Sequence, residues 1–280
     1  MPDMRRFAEG TGGGPEVSET LTDLLRGWRE RLDPRSVPGL VRSDRRRPNP
    51  GLSQKEVAKL TGVTDRWYRN LEAGHPADYS AGFLDRLAVT LRLSDSERRM
   101  LFLRVSGREP PLRESADSAA VKAFDTPMQR FLEHQLPHPA YISDISWNFV
   151  GYNQRMLEWF PWIPYQNNLM KWILIHPEAR HQLVNWRDDW ARPSIAQIRF
   201  VCGRYPDNRA LQELARDVVA GSPEVRELWE RHEVHTHSDG DVRKFRLPYH
   251  GAEETTVKII MLAPLRSIES RFVVLMRIDD

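Results

Sequence analysis

The stretch that decides the fold of the N-terminal half reads SQKEVAKLTGVTDRWYRNLEAG, from Ser53 to Gly74. Ser53 is a good N-cap, and Glu56 completes a capping box with it, so we expect a helix to start there. Gly62 supplies a tight bend, because a β-carbon would resist a positive φ at that position. Thr64 is then suited to cap a second helix. The stretch therefore predicts two short helices joined by a glycine turn.

The second predicted helix has an apolar side and a polar side. Tyr68 and Leu71 fall on the inward stripe, whereas Asp65, Arg66 and Arg69 point away from it. In a helix-turn-helix the outward side of the second helix enters the major groove of DNA. Arginine can fork to guanine O6 and N7, and an acidic side chain can accept from cytosine N4. This face is expected to read G·C-rich steps, with two alternatives open: Asp65 only complements the helix dipole, and one arginine holds phosphate.

The whole stretch resembles, without gaps, the lambda-repressor-like helix-turn-helix family, also called XRE. Members of that family place a glutamine at the start of the first helix, where it braces a phosphate or touches a base edge. That position falls on Gln54 here, and the base-reading positions fall on Asp65, Arg66 and Arg69. Thr64, directly before them, is also expected to contact DNA. The resemblance implies that the chain binds double-stranded DNA.

Basic residues are concentrated around this stretch. The chain has a net charge of only +2, yet the segment Arg26 to Arg69 holds twelve Arg or Lys residues against five Asp or Glu residues. A local excess of this kind attracts phosphate, which supplies most non-specific affinity for DNA. Arg45, Arg46 and Arg47 lie in a proline-rich loop before the first helix, and we interpret them as a phosphate clamp in preference to a solvated surface.

Length and composition limit the class of protein. A chain of 280 residues with 40% hydrophobic content fits two ordinary domains. Its single cysteine, Cys202, permits no internal disulfide and suits a reducing compartment. The sequence has no apolar run of about 18 residues and no signal-peptide core. We therefore expect a soluble cytoplasmic protein without a membrane partner.

Glycines near the N-terminus and the prolines Pro110 and Pro111 mark segments that lack core residues. Between them, apolar spacing predicts five helices, and in the fifth, Asp95 to Val105, we expect Met100, Leu101 and Leu103 to face the core. We divide the chain into a flexible tail, an all-α helix-turn-helix domain, a linker and a second domain, at residues 1–17, 18–106, 107–122 and 123–280.

The second domain has strand-like segments at both ends. Pro139 to Asn153 alternates across a polar break, as in two strands joined by a turn. Further strands are predicted at 243–247, 255–262 and 271–278, with a helical region at 152–231 in between. Strands that enclose a helical insertion indicate an α+β domain with an antiparallel sheet.

Taken together, the chain resembles the MmyB-like regulator family, in which an XRE-type domain precedes a PAS-like ligand-binding domain. The matching residues are scattered but ordered along the second domain, and they include Pro139, Trp147, Asn153, Asn168, Trp172, Arg199, Ser222, Trp229, His232, Lys244 and Pro248. The sequence departs from the family's pattern at Asn70, where an arginine is usual, and at Leu247, where a histidine is usual. The resemblance implies a small-molecule sensor.

Aromatic walls with a few polar groups are what a small-molecule pocket needs. Candidate ligand-binding residues are therefore Trp147, Asn153, Trp172, Arg199 and Trp229. Each tryptophan alone is more commonly core packing, and Asn153 or Arg199 can instead bond to backbone. The expected effector is small and mostly hydrophobic, and the protein is expected to bind DNA as a homodimer.

Other classes of function have weaker support. The second domain could bind a protein partner, as in a DNA-binding adaptor or antitoxin, or turn over a metabolite as an autoregulatory enzyme. No nucleophile elbow or glycine-rich phosphate loop is present, and Cys202 has no convincing partner, so we expect no enzyme. His232, His235 and His237 are close in sequence but lack companion ligands, so we expect no metal and no cofactor.

Overall fold

The computed structural model describes residues 20–40, 51–111, 126–232, 241–263 and 270–278. The predicted tail, Arg45, Arg46, Arg47 and most of the predicted linker lie outside these residues. The N-terminal domain consists of helices with a short 3-10 turn at Pro34–Ser36 after the first of them; they are α1 Leu21–Glu30, α2 Gln54–Thr61, α3 Asp65–Glu72, α4 Ala81–Thr90 and α5 Asp95–Ser106. The α1 helix starts at Leu21 because Thr20 and Asp23 form a capping box.

The predicted turn between α2 and α3 is confirmed. The Ser53 hydroxyl accepts from the Glu56 amide, and the Glu56 carboxylate accepts from the Ser53 amide at 2.7 Å. Gly62 has a φ of 73°, which a residue with a side chain adopts only at a cost. Thr64 caps α3 by accepting from the Trp67 amide at 3.2 Å. Local sequence therefore specifies this corner of the domain.

The helices bury a common core. Tyr68 and Leu71 of α3 are almost completely buried, as predicted. The prediction for α5 is wrong in part, because Met100 and Leu103 are each 41% exposed while Leu101 and Phe102 are buried. Leu101 and Phe102 share a helix face with the buried part of the preceding turn, whereas Met100 and Leu103 flank that face.

A buried ion pair joins α1 to α3. The Arg29 guanidinium donates to both carboxylate oxygens of Glu72, at 3.1 and 3.0 Å, and to the Leu52 carbonyl at 2.6 Å. Gln54 donates to the same carboxylate at 2.9 Å. Because both charged side chains are less than 10% exposed, this pair ties the helix-turn-helix to the first helix inside the core.

The C-terminal domain contains a five-stranded antiparallel sheet in the order β2-β1-β5-β4-β3. All five predicted strands are present. The last three match their predicted bounds to within about one residue, and the first two are shorter than the segment Pro139 to Asn153 in which they were predicted. The strands are β1 Ala140–Ser143, β2 Phe149–Tyr152, β3 Val242–Arg246, β4 Glu254–Leu262 and β5 Arg271–Arg277. The order and the long insertion between β2 and β3 make this the predicted PAS-like α+β fold.

Helices cover both faces of the sheet. Helix α6, Thr126–Glu133, places Leu132 against Ala140 and Ile142 of β1 on the outer face. A helical layer with a π-helical turn at Trp186–Ala191 covers the inner face; its helices are α7 Gln154–Trp159, α8 Leu169–Ile175, α9 Ala179–Gln182, α10 Arg192–Arg204, α11 Arg209–Gly221 and α12 Pro223–Trp229. Because β1 is covered on both sides, all its residues are buried. In the described part of the chain, no helix could cross a membrane.

Candidate DNA-reading face and ligand cavity

The polar side of α3 lies on the surface. Thr64, Asp65, Arg66 and Arg69 are all exposed. Gln54 stands at the start of α2, half-buried, with its amide nitrogen held by Glu72. Helix α3 therefore offers one acidic and two basic side chains to solvent on a helix whose other side is locked into the core.

The inner side of the C-terminal sheet encloses a cavity of about 80 Å³. Its walls come from strands β1, β3, β4 and β5 on one side and from α8, α10 and the π-helical turn on the other. Most of the lining is apolar and includes Met170, Trp172, Phe245, Val273 and Leu275. The space is larger than a buried water needs, so a small organic group fits without rearrangement.

Two buried polar atoms in the lining have no hydrogen-bond partner among the described residues. They are Ser143 Oγ on β1 and Trp172 Nε1 on α8. Both side chains are about 1% exposed. Buried polar groups are almost always bonded, so these two donors are available to a molecule in the cavity. Trp172 is held in place by the Trp162 ring, which stacks on it at 4.1 Å.

Arg271 brings a positive charge to the cavity. Its Nη1 donates to the carbonyls of Asp144 and Ile145, at 2.9 and 3.1 Å. The guanidinium lies over the Trp147 ring, 4.2 Å from its centroid. Burial lowers the pKa of Arg271, although the group remains charged near neutral pH. Among the described residues no carboxylate forms an ion pair with this cation, so an anionic group in the cavity would stabilise it.

Trp147 adopts a backbone conformation that is unusual for a bulky residue. Its φ is 62°, in a turn that is closed by the Asp144 carboxylate, which accepts from the amides of Ser146 and Asn148. The Trp147 carbonyl accepts from the Leu169 amide at 3.0 Å. Strained positions of this kind persist where the surroundings fix them, often at ligand sites. The turn thus holds the indole ring at the cavity, beneath Arg271.

Of the five predicted ligand residues, Trp147 and Trp172 line the cavity, and Asn153, Arg199 and Trp229 do not. The Asn153 side chain is fully buried and caps α7. Its oxygen accepts from the amides of Ala140 and Met156, and its nitrogen donates to the carbonyls of Leu132 and His138. All of its hydrogen-bonding capacity is used in joining α6, β1 and α7.

Arg199 and Trp229 form a separate cluster at the end of α12. The guanidinium lies 4.5 Å from the centroid of the Trp229 ring and donates to the Trp229 carbonyl. Its Nη1 is 3.1 Å from Nδ1 of His232. This cluster closes the C-terminus of α12. His235 and His237 lie outside the described residues, and no group of residues in the described part of the chain could hold a metal ion.

Sequence reasoning missed the polar residues that line the cavity, which include Ser143, Asp189, Ser194, Gln197, Arg243 and Arg271. A signal was present for the two arginines. Arg271 shares one side of β5 with Val273 and Leu275, and Arg243 shares one side of β3 with Phe245. This register places both charges on the side of the sheet that faces the core. A charged residue in an inward strand position requires a partner, and that requirement points to a site.

The chain thus combines a helix-turn-helix that exposes the polar face of its second helix with a PAS-like domain that contains a cavity. This combination defines a DNA-binding transcription regulator with a ligand-binding domain. Comparison with known families matches residues 20–101 to a helix-turn-helix domain and residues 124–272 to the MmyB-like transcription regulator ligand binding domain. The second match covers more than half of the chain, and the chain therefore belongs to the MmyB-like transcription regulator family. A search of curated proteins returns no match.

Proposed function

We propose that the protein senses a small, mostly apolar molecule that carries one hydrogen-bond-accepting group, preferably an anionic oxygen. The observation that carries this proposal is one cavity whose lining holds Arg271 together with Ser143 and Trp172, whose Oγ and Nε1 have no partner among the described residues. Apolar walls favour the body of such a ligand, and the three polar groups orient its head. A ligand larger than the cavity must displace side chains.

Thermal unfolding of the full chain with benzoate, and with benzyl alcohol as its uncharged counterpart, tests the proposal. Hexanoate and hexan-1-ol form a second matched pair. A ligand that binds only the folded state stabilises it by about 2.7 kcal/mol at a concentration of 100 times Kd. We expect each carboxylate to raise the melting temperature more than its alcohol does. No shift with any of the four compounds at millimolar concentration would contradict the proposed site.

Arg271→Met removes the cavity's arginine that has no carboxylate partner among the described residues, while it keeps much of the side-chain volume. We expect the variant to lose at least about tenfold in benzoate affinity, or about 1.4 kcal/mol, and to keep its affinity for benzyl alcohol. Isothermal titration measures both. Arg243→Met is the matched control, because Arg243 also lines the cavity but is already paired with Asp241 at 2.9 Å. An equal loss of affinity for benzoate and for benzyl alcohol in Arg271→Met would argue against an anion site.

For DNA, we propose that Arg66 and Arg69 touch base edges while Arg45, Arg46 and Arg47 hold phosphate. Arg69→Ala is expected to cost about 1–3 kcal/mol on the best operator and to relax preference at one base pair. Arg46→Ala is the control. It is expected to weaken binding to all duplexes similarly and to reduce by about one the magnitude of the slope of log K against log salt concentration. Selection from a random duplex library, followed by titration, measures both effects. Unchanged sequence preference in Arg69→Ala would overturn the assignment.

We also propose that two copies bind one operator, because a single helix-turn-helix contacts too few base pairs to find a genomic site. Half-sites are expected about one helical turn apart, or a multiple of it. Light scattering of the complex at saturating DNA is expected to give two chains per operator. One chain per operator would exclude the homodimer.

The other classes of function have less support. An adaptor would present its aromatic residues at the surface for a partner, whereas Trp147, Trp159, Trp162, Trp172 and Trp186 are buried within the domain. Against an enzyme, burial raises the pKa of the Cys202 thiol, and its sulfur lies 3.6 Å from the Leu211 carbonyl. A protonated, half-buried thiol is a poor nucleophile.

A further inference from the structure

One short segment of the C-terminal domain, Pro177–His181, carries contacts to the N-terminal domain. A β-carbon on Gly62, at the turn before the reading helix, would lie 3.0 Å from Pro177 Cγ. A β-carbon on Gly39 would lie 2.4 Å from the His181 carbonyl oxygen, where the backbones approach most closely. The Gly39 contact leaves no room for a β-carbon and the Gly62 contact leaves little, so the two domains pack closely at these points.

Between these contacts lies a buried ion pair. Arg92, just after α4, donates through Nη1 to Glu178 at 3.0 Å and through Nη2 to the other carboxylate oxygen. The two side chains are 10% and 2% exposed. Arg92 also donates to the Val89 carbonyl at 2.7 Å, and Val89 packs into the core of the C-terminal domain. The pair is therefore shielded from solvent at the interface between the two domains.

Arg92 occupies a position that favours glycine. Its φ is 52°, and the Leu93 amide bonds back to the Ala88 carbonyl, as at the end of a helix that is closed by a left-handed residue. A side chain is unfavourable in this conformation. Within the N-terminal domain the Arg92 side chain makes the one hydrogen bond to the Val89 carbonyl, whereas its contact with Glu178 uses both Nη atoms of the guanidinium.

Both ends of the Pro177–His181 segment lead into the wall of the cavity. Ile173, in the last part of α8, lines the cavity before the segment, and Leu183 lines it afterwards. Leu183 is held to Phe245 of β3, which is itself a lining residue. A movement of α8 relative to β3 therefore passes along a segment that also contacts the N-terminal domain.

We propose that Pro177–His181 transmits the state of the cavity to the DNA-reading domain, and that the Arg92–Glu178 ion pair is the positioning contact that couples them. The inference rests on the proposed function, since it assigns a route for regulation by the same cavity. Asp65, Arg66 and Arg69 are exposed although the two domains are in contact, so the C-terminal domain does not cover the reading helix. Regulation along this route would therefore change the orientation of that helix.

Amide hydrogen exchange of the full-length protein tests the coupling. For each substitution, exchange is measured in the domain that does not carry the substitution. Arg92→Gly removes the guanidinium and suits the left-handed backbone, so the N-terminal domain stays folded. We expect the amides of Ala179, Arg180 and His181 to exchange at least about tenfold faster in this variant. Glu178→Gln is expected to accelerate exchange of the Leu93 amide. Glu158→Gln, in the exposed Arg155–Glu158 pair, is the control and is expected to change neither.

A mild change in the cavity wall tests transmission without a ligand. Ile173→Val is expected to accelerate exchange of the Leu93 amide about threefold in the wild-type background and to leave it unchanged in Arg92→Gly. The same response in both backgrounds, or none in either, overturns the proposed route. Unchanged exchange across the interface in both Arg92→Gly and Glu178→Gln overturns the positioning contact. Neither experiment uses a ligand, so a failure of benzoate to bind is a separate result against the proposed function.

Discussion

Arg29→Met is expected to destabilise the N-terminal domain by about 3–5 kcal/mol, because it leaves the Glu72 carboxylate buried without a counter-charge. Glu72 is only 3% exposed and cannot reach water without opening the core. The Leu52 carbonyl loses its donor in the same variant. Urea-dependent hydrogen exchange of the α1 to α4 amides measures the loss, and binding to any duplex is expected to weaken as the fraction of folded domain falls.

Two further variants separate the buried charge from the loss of packing. The double variant Arg29→Met and Glu72→Met removes both charges and is expected to recover much of the stability, because neither charge is left unpaired. Arg31→Met breaks the more exposed pair with Glu97 and is expected to cost less than about 1 kcal/mol. A double variant that is less stable than Arg29→Met would show that packing, and not the unpaired charge, dominates the effect.

Asn153→Ala is expected to destabilise the C-terminal domain by roughly 3 kcal/mol or more, since it leaves buried backbone groups unsatisfied. The side chain bonds two amides and two carbonyls at the junction of α6, β1 and α7. The same change removes the N-cap of α7. Thermal unfolding of the full chain gives the loss of stability, and titration of the folded fraction gives the affinity for benzoate, which is expected to be unchanged.

Asn153→Asp is the matched control for this prediction. An aspartate keeps the oxygen that accepts from Ala140 and Met156 but loses the two donated hydrogen bonds. A buried carboxylate would turn its second oxygen toward the carbonyls of Leu132 and His138, so Asn153→Asp is expected to be no more stable than Asn153→Ala at neutral pH. If Asn153→Ala instead unfolds like the wild type and fails to bind benzoate, Asn153 is a ligand contact, as the sequence first suggested.

The sequence by itself determined the features that depend on residues close to one another in the chain. Ser53, Glu56, Gly62 and Thr64 act through neighbours no more than a few residues away, so their spacing predicts the helix-turn-helix correctly. Strand alternation likewise predicts β3, β4 and β5, because the inward and outward positions of a strand follow a fixed period. The family resemblance then indicated the order of domains, which the family comparison confirms.

Only the tertiary structure decided which polar side chains face the cavity and how the two domains meet. Ser143, Arg243 and Arg271 come from three strands that are distant in sequence and become neighbours only when β1, β5, β4 and β3 pair in that order. Asn153 looked like a ligand residue because it is polar in an apolar setting, yet its partners are backbone groups of other elements. Arg92 and Glu178 are 86 residues apart and carry no local pattern. Contacts of this kind depend on the packing of whole elements, which hydrophobic periodicity does not specify.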